Sequence, residues 1–527
     1  MYSDRNTYAG LMGVTSLLAT APAEALDHLA KLIDLSHDMG EADGLERAIS
    51  LGEELQSRDD ITADEAALLH YFLANAWSDL QHLQRKGKPS AWEWEQEEVE
   101  KTILHLRSAL RSEGFLALHK IRRCQILTNL GNIFNHIGRC VEAIEYWDRA
   151  LAIDPQFGMA RGNRGYGIIH YAALFEHLCH QVPFLKHAYS DLKAALALEL
   201  EGGAEQGFSE ALNWIESRSP AGGLEDAEEM PHGVSLGTTK GEIRYRTWCL
   251  EKRLFLNPLN DLGADAAAAK DTLTTPSIVI PINDGTLHYG FFNQIKQEFV
   301  SARYLYYEGI SAARPHYSDK QVTLYNTFDY PSYSLAVEKV KAAFRILYSV
   351  FDKLAFFLNN YMHLSIPERR VNFRSFWYKS QDKGKGLRDD LRQRENWPLR
   401  GLFWLSKDLY EDQLGFRDVI EPDAQELAAV RNHLEHKYLK LHEFGPPPRF
   451  DEDDDEGFAP MADTLAYSVG RSEFEAKTMK LMKIVRAALI YLSLTIYTEE
   501  KSRARERGDA HVLPSIPADI WSDEFKI

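Results

Sequence analysis

The sequence predicts an all-α protein in two parts: an N-terminal array of helical hairpins, then a C-terminal bundle of four long helices. Three observations carry this. A repeat-like spacing of small and aromatic residues runs from Leu127 to Pro155, a Gly/Pro-rich and acidic break follows Glu201, and long amphipathic stretches resume after residue 287. At 527 residues the chain has room for two or three folding units. Charged residues at 26% and hydrophobic residues at 45% are ordinary for a soluble globular protein. They exclude a largely disordered chain, a collagen-like repeat and a disulfide miniprotein. Asp plus Glu number 78 against 60 Lys plus Arg, a formal charge of −18. Such a chain does not coat nucleic acid non-specifically, so any such contact needs a local basic patch.

The four cysteines, Cys124, Cys140, Cys179 and Cys249, form no Cys-x-x-Cys pair. That spacing gives neither a zinc site nor a disulfide framework and suits a reducing compartment. Met1-Tyr2-Ser3-Asp4-Arg5 lacks the basic start and long apolar core of a signal peptide. Ala487 to Tyr497 is too short to span a bilayer. A soluble, cytoplasmic protein without membrane contact is expected.

The repeat positions are Leu127, Leu130-Gly131, Phe134, Gly138, Ala143, Trp147, Ala150 and Pro155. Small residues sit where two helices touch, large ones fill the gap to the next hairpin, Gly138 lies between the helices, and Pro155 helps end the second. In type and spacing they resemble the tetratricopeptide repeat. One hairpin cannot bury its own apolar face, so neighbours are required. Ala66 to Leu80 with Glu97 to Leu110 reads as one pair, and Ala25 to His37 with Glu46 to Leu55 as a weaker one. Downstream, Gly165-Tyr166 is expected to open a further repeat, with Ala188, Leu192 and Ala195 on its second helix and an insertion around His177 to Pro183. Three or four hairpins are thus expected within residues 20–200. Such an array offers a concave surface for a protein or peptide trigger; the plainer reading is a structural arm or dimerisation element.

Residues 201–285 read as a connector, marked by Gly202-Gly203, Pro220-Ala221-Gly222-Gly223 and the acidic Glu225 to Glu229. Within it, Tyr245 to Asp261 is too aromatic for plain linker and is expected to pack on a neighbour. Residues 286–505 are expected to form the bundle and 506–527 a tail. The four bundle helices are expected at His288 to Ala312, Leu335 to Leu364, Pro422 to about Phe444, and Arg471 to Lys501. The acidic run Asp451 to Glu456 reads as a solvated loop between the last two.

The third expected bundle helix contains Ala429-Val430-Arg431-Asn432-His433-Leu434-Glu435-His436. Arg431 and His436 have four residues between them, and a polar residue follows the arginine. This segment resembles the HEPN ribonuclease family, whose signature is an arginine, usually followed by a polar residue, then a histidine after four to six positions. The resemblance covers roughly residues 285–505. Two looser spacings, Arg164 to His170 and Arg505 to His511, lack the bundle context.

On a helical wheel, Leu427, Val430, Leu434, Tyr438 and Leu441 fall in one apolar arc that must face the core. Asn432 and His436, at i and i+4, point nearly opposite, and Arg431 lies on the flank. An outward-facing site on one helix makes a poor pocket. The resemblance implies that two bundles pair so that both motifs line one cleft, giving a homodimer. RNA cleavage without metal needs a base for the 2′-hydroxyl and an acid for the leaving 5′-oxygen, and a histidine can serve as either. Arginine stays charged and forks onto phosphate oxygens. The expected catalytic residues are therefore Arg431, Asn432 and His436, with Asn432 orienting the histidine or holding a phosphate oxygen. The resemblance implies 2′,3′-cyclic phosphate and 5′-hydroxyl ends. No cofactor or metal is expected; His433 and His436 at i, i+3 with Glu435 nearby could hold a metal, but the wheel places His433 off to one side.

RNA needs a docking surface on this acidic protein. Between Arg369 and Arg400 ten basic residues meet four acidic ones. Arg369, Arg370, Arg374, Lys379, Lys383, Lys385 and Arg388 are the candidate phosphate contacts. Trp377, among Phe373, Phe376, Tyr378 and Trp397, is the candidate for base stacking. The plainer reading is a solvated insertion whose aromatics pack on the bundle. No Gly-x4-Gly-Lys-[Ser/Thr] loop is present, so ATP- or GTP-driven action is not expected. Isolated His70, His119 and His180 read as packing residues. The leading expectation is a metal-independent endoribonuclease controlled by a repeat-domain sensor, a toxin or antiviral effector. The alternative is a non-catalytic adaptor whose bundle serves dimerisation or nucleotide binding.

Overall fold

The computed structural model describes residues 2–218, 234–280, 285–327, 329–410, 427, 430–434, 437–443, 465–508 and 520–526. Within these the protein is all-α apart from one two-stranded sheet. The first part comprises α1 (Tyr2–Met12), α2 (Pro22–Met39), α3 (Ala42–Leu55), α4 (Ala63–Arg85), α5 (Glu97–Arg111), α6 (Lys120–His136), α7 (Cys140–Ile153), α8 (Gly158–Ala172), α9 (Leu178–Ala195) and α10 (Ala204–Glu216). The pairs α2/α3, α4/α5, α6/α7 and α8/α9 pack as successive hairpins, and α10 closes the row against α8 and α9.

Local chemistry sets these boundaries. Pro22 opens α2, and Gly40 ends it in the left-handed region. Thr62 and Glu65 form a reciprocal capping box at the start of α4. In the α6/α7 hairpin Trp147 is buried, and its indole N–H donates to Asn132 Oδ1 at 3.0 Å. A Cβ at Gly131 would strike that indole ring, so glycine there lets α6 lie close on α7. The next hairpin corrects the expectation. Gly165 and Tyr166 lie inside α8 rather than at its start, and the segment His177 to Pro183 supplies the N-cap and first turns of α9, with Pro183 taken up within the helix. Ala188, Leu192 and Ala195 are buried on α9.

The connector carries α11 (Lys240–Glu251) and α12 (Leu259–Leu262). The second part is built from α13 (Leu287–Ser311), α14 (Leu335–Tyr361), α15 (Asp389–Arg392), α16 (Trp397–Tyr410) and α17 (Arg471–Arg507). Helices α13, α14, α16 and α17 form the bundle, with α17 packed on the other three. Strands β1 (Tyr438–His442) and β2 (Ala466–Gly470) pair in parallel, Tyr438 opposite Ala466. Two expectations change here. Helix α16, which begins at the end of the basic segment, takes a bundle place, and the third expected helix does not reach Phe444, because the chain is a strand by Tyr438. Pro422 and the acidic run Asp451 to Glu456 lie outside the described residues.

The connector is held in the junction between the two parts. Buried Arg486 of α17 donates to Asp261 Oδ1 at 2.6 Å, to the Phe255 carbonyl at 2.6 Å and to the Asn257 carbonyl at 3.1 Å. The Tyr171 hydroxyl of α8 donates to the other Asp261 oxygen at 2.9 Å. On the opposite side, α16 meets the repeats directly. A Cβ on Gly138 would collide with the Trp397 carbonyl oxygen, and one on Gly401 with the Gly138 carbonyl oxygen. Gly138 also has φ +90°, which favours glycine.

Candidate active site

Residues Val430–Leu434 are helical, and Leu427, Val430 and Leu434 are buried against the bundle. This is the apolar arc of the wheel as far as the helix is described. Leu441 is also buried, but from strand β1, and Tyr438 is exposed. Asn432 is exposed, and Arg431 is half-buried, its guanidinium turned toward α14. Glu435 and His436 lie outside the described residues.

The Arg431 guanidinium sits 5.6 Å from the centroid of the Tyr348 ring, a cation–π geometry, and Nη1 reaches Asn432 Oδ1 at 3.5 Å. Tyr348 hydrogen-bonds Tyr410 at the end of α16. Burial, then the Tyr348 hydroxyl, pushes the Tyr410 phenol well above its ordinary value, against the pull of Arg431, so it stays protonated. Arg345, one turn before Tyr348 on α14, donates through Nη2 to the Leu434 carbonyl at 2.8 Å. A cation at that end of a helix satisfies an orphan carbonyl and complements the dipole. It also brings a second guanidinium beside the motif. Arg345 and Tyr348 were missed in the sequence; their signal is the i, i+3 spacing that puts a cation and an aromatic on one helix face. The His433 ring packs 5.1 Å from Tyr467 of β2, so His433 belongs to the strand contact.

The basic segment divides by burial. Arg369, Arg370, Arg374, Lys379, Lys383 and Lys385 are exposed, and Arg388 is half-buried. Lys379 pairs with Asp389 at 2.9 Å, Lys385 with Asp382 at 4.0 Å, and Arg388 donates to the Leu364 carbonyl at 3.0 Å. A cavity of about 680 Å³ is lined by Arg374, Tyr378, Lys383, Lys407 and Tyr410 among others. Tyr410 therefore belongs both to this cavity and to the group under Arg431. The base-stacking role expected for Trp377 is corrected. Its ring is 0% exposed, and its indole N–H donates to the Phe373 carbonyl at 2.8 Å. Phe373 and Phe376 are likewise buried, so these aromatics are domain core while the cations between them face solvent. Arg400 is buried too, against the His136 carbonyl.

The other histidines have local roles. Arg164, of the looser spacing, is held by Asp148 and Asp191, while His170 packs edge-on against Tyr166. His119 caps α6 rather than packing in it, and His511 lies outside the described residues. No helix among the described residues is long and apolar enough to cross a membrane.

Residues 282–499 match the family model for LA2681-like HEPN, which supports a HEPN domain in this part of the chain. HEPN domains are generally ribonucleases. No curated protein and no solved structure matches the chain.

Proposed function

We propose that the chain is a metal-independent endoribonuclease whose HEPN domain cleaves RNA by attack of the ribose 2′-hydroxyl. The reading is supported by the HEPN family match over residues 282–499 and by exposed Asn432 beside half-buried Arg431 on a helix whose Leu427, Val430 and Leu434 are buried. His436 takes the 2′-hydroxyl proton or returns one to the leaving 5′-oxygen. Arg431, with Arg345 near it, stabilises charge building on the phosphate. Asn432 orients the histidine or holds a phosphate oxygen. Arg369, Arg370, Arg374, Lys379, Lys383, Lys385 and Arg388 guide the strand by its phosphates. Two copies pair through the bundle so that two motifs serve one cleft.

The repeats act as the sensor. Between α2, α4 and α6 lies a groove of about 660 Å³ lined by Asp34, Asp38 and Asp79 with Asn75, Asn129 and Asn132. That lining suits a basic, extended peptide whose backbone the amides can bond. The cellular role that fits is a cytoplasmic toxin or antiviral effector released by its trigger. Overexpression tests the reading: wild type arrests growth with loss of cellular RNA, and His436→Ala relieves the arrest. Arrest that persists unchanged in His436→Ala contradicts it.

A further inference from the structure

Because Trp377 is buried, a strand guided by the basic segment still lacks a surface for its bases. The loop between α13 and α14 supplies one. Residues 311–327 are exposed apart from half-buried Asp319, and the run carries Tyr317 at 78% and Tyr325 at 91% exposure. Tyr330 follows at 75% and Tyr333 at 48%, and Tyr438 of β1 is 42% exposed. An aromatic ring gains more from burial than most side chains do. Five exposed rings on one loop and the strand beside it therefore mark a contact surface.

The loop is anchored at both ends. The Asp319 carboxylate accepts from the Leu335 N–H at the start of α14 at 2.9 Å, and from the His316 N–H at 3.3 Å. Asp329 pairs with Lys440 at 2.7 Å, and its carbonyl lies 3.0 Å from His442 Nδ1. The Ser332 N–H donates to the Leu441 carbonyl at 2.7 Å, so the loop returns along β1. Gln321 and Tyr330, at φ +62° and +51°, turn the chain on either side of the exposed run 322–327. Strand β1 begins two residues after His436, which sets the anchored end of the loop beside the motif. Both acidic side chains of the loop are taken up in these bonds. Arg314, Lys320 and Lys437 are exposed and form no ion pair among the described residues. Exposed rings among such cations are the composition that holds a single strand, by stacking on its bases and attracting its phosphates.

We infer that this tyrosine loop is the base-stacking surface for a single RNA strand entering the motif. The rings take successive bases without choosing among them, because every base has a π-face, and Arg314, Lys320 and Lys437 meet the phosphates between. Held at both ends before the strand arrives, the loop loses little freedom on binding. The tyrosines are positioning residues: they bring a ribose–phosphate linkage to Arg431 and His436 without touching the reacting atoms. That role rests on the ribonuclease reading, whereas the stacking is measured without any cleavage.

Fluorescence anisotropy of the full chain with two labelled strands tests this. One is a short, non-pairing 2′-O-methyl RNA, whose blocked 2′-oxygen prevents cleavage; the other is an abasic strand with the same number of phosphates. Wild type is expected to bind the strand with bases about tenfold or more tightly than the abasic one. Tyr325→Ala/Tyr330→Ala is expected to lose about tenfold or more on the strand with bases and nothing on the abasic one. Tyr325→Phe/Tyr330→Phe, which keeps the rings, is expected to bind as wild type does. Should the alanine pair melt early, Tyr325→Ala, which trims one exposed ring, carries the same comparison. The inference is overturned if neither strand binds at about 100 μM, or if wild type binds both alike. It is equally overturned if the alanine pair changes only the oligomeric state in gel filtration, which would make the loop a protein contact. Failure of the wild type to cleave natural RNA would count against the ribonuclease reading and leave the stacking result standing.

Discussion

Arg107 and Asp408, 301 residues apart in sequence, meet as a two-pronged ion pair with both N···O distances at 2.9 Å. Arg139 donates to the same carboxylate, and Lys407 next to it pairs with Glu100 of α5. The repeats and the bundle are therefore joined through α16, whose last residue, Tyr410, lies in the group under Arg431. Burial pushes the Asp408 carboxyl up, but the two guanidinium groups outweigh it and hold it at about 2.

Asp408→Ala leaves two buried arginines without their shared anion. Removing one partner of a buried pair costs about 3–5 kcal/mol, and that loss is expected in denaturant unfolding of the variant. A variant as stable as wild type would mean that the network does not hold the parts together.

The Gly138–Gly401 approach makes a second test of the same junction. Gly138→Ala adds a Cβ at φ +90° and against the Trp397 carbonyl, so a cost of about 1–3 kcal/mol is expected. Gly207→Ala, inside α10 where a Cβ would meet nothing within 4 Å, is the contrast and is expected to raise stability by up to about 1 kcal/mol. Thermal unfolding of the two variants separates them.

Stability is expected to rise with pH between about 4 and 6.5. Burial, then His70 and Lys101, lowers His105 to about 3, and burial, then Arg400, lowers His136 to about 4. Burial also lowers His70, whose Nδ1 lies 3.0 Å from Nδ1 of His105. A folded-state pKa below the unfolded one means that the unfolded chain binds more protons in that window. The stability these neutral rings contribute is thus complete above the unfolded value and lost as pH falls through the folded ones. Unfolding free energy measured from pH 7 to 4 checks this, and His105→Gln should flatten part of the slope.

In the basic segment, cations and aromatics should separate experimentally. Arg374→Ala with Lys383→Ala is expected to weaken RNA binding and to reduce the salt slope of log K by about 1 to 2, with stability unchanged. Trp377→Ala is expected to cost about 3–5 kcal/mol of stability. Binding by filter retention across salt, paired with thermal unfolding, reads both.

The hairpins were legible because their signature residues touch one another: Gly131 against Trp147, with Ala143 and Ala150 buried nearby. The apolar arc of the motif helix was legible for the same reason, as Leu427, Val430 and Leu434 repeat at helical spacing and are buried together. Helix α16 was not. From Pro398 to Leu409 every residue is buried, so no polar face marks a period, and Arg400, Lys407 and Asp408 find partners from the far end of the chain. The end of the motif helix was hidden because Leu434, Tyr438 and Leu441 fit helical spacing although the last two lie in a strand. Charges alternating with aromatics around Trp377 suggested stacking, yet a chain that buries rings and exposes cations in turn gives the same pattern.

The most direct measurement of the central claim is cleavage of a labelled RNA and its all-deoxy counterpart by the full chain, in EDTA, with the product ends identified. RNA fragments ending in 2′,3′-cyclic phosphate are expected, with the DNA intact and the rate reduced about 100-fold or more in Arg431→Ala and His436→Ala. Cleavage at the wild-type rate by both variants would contradict the account.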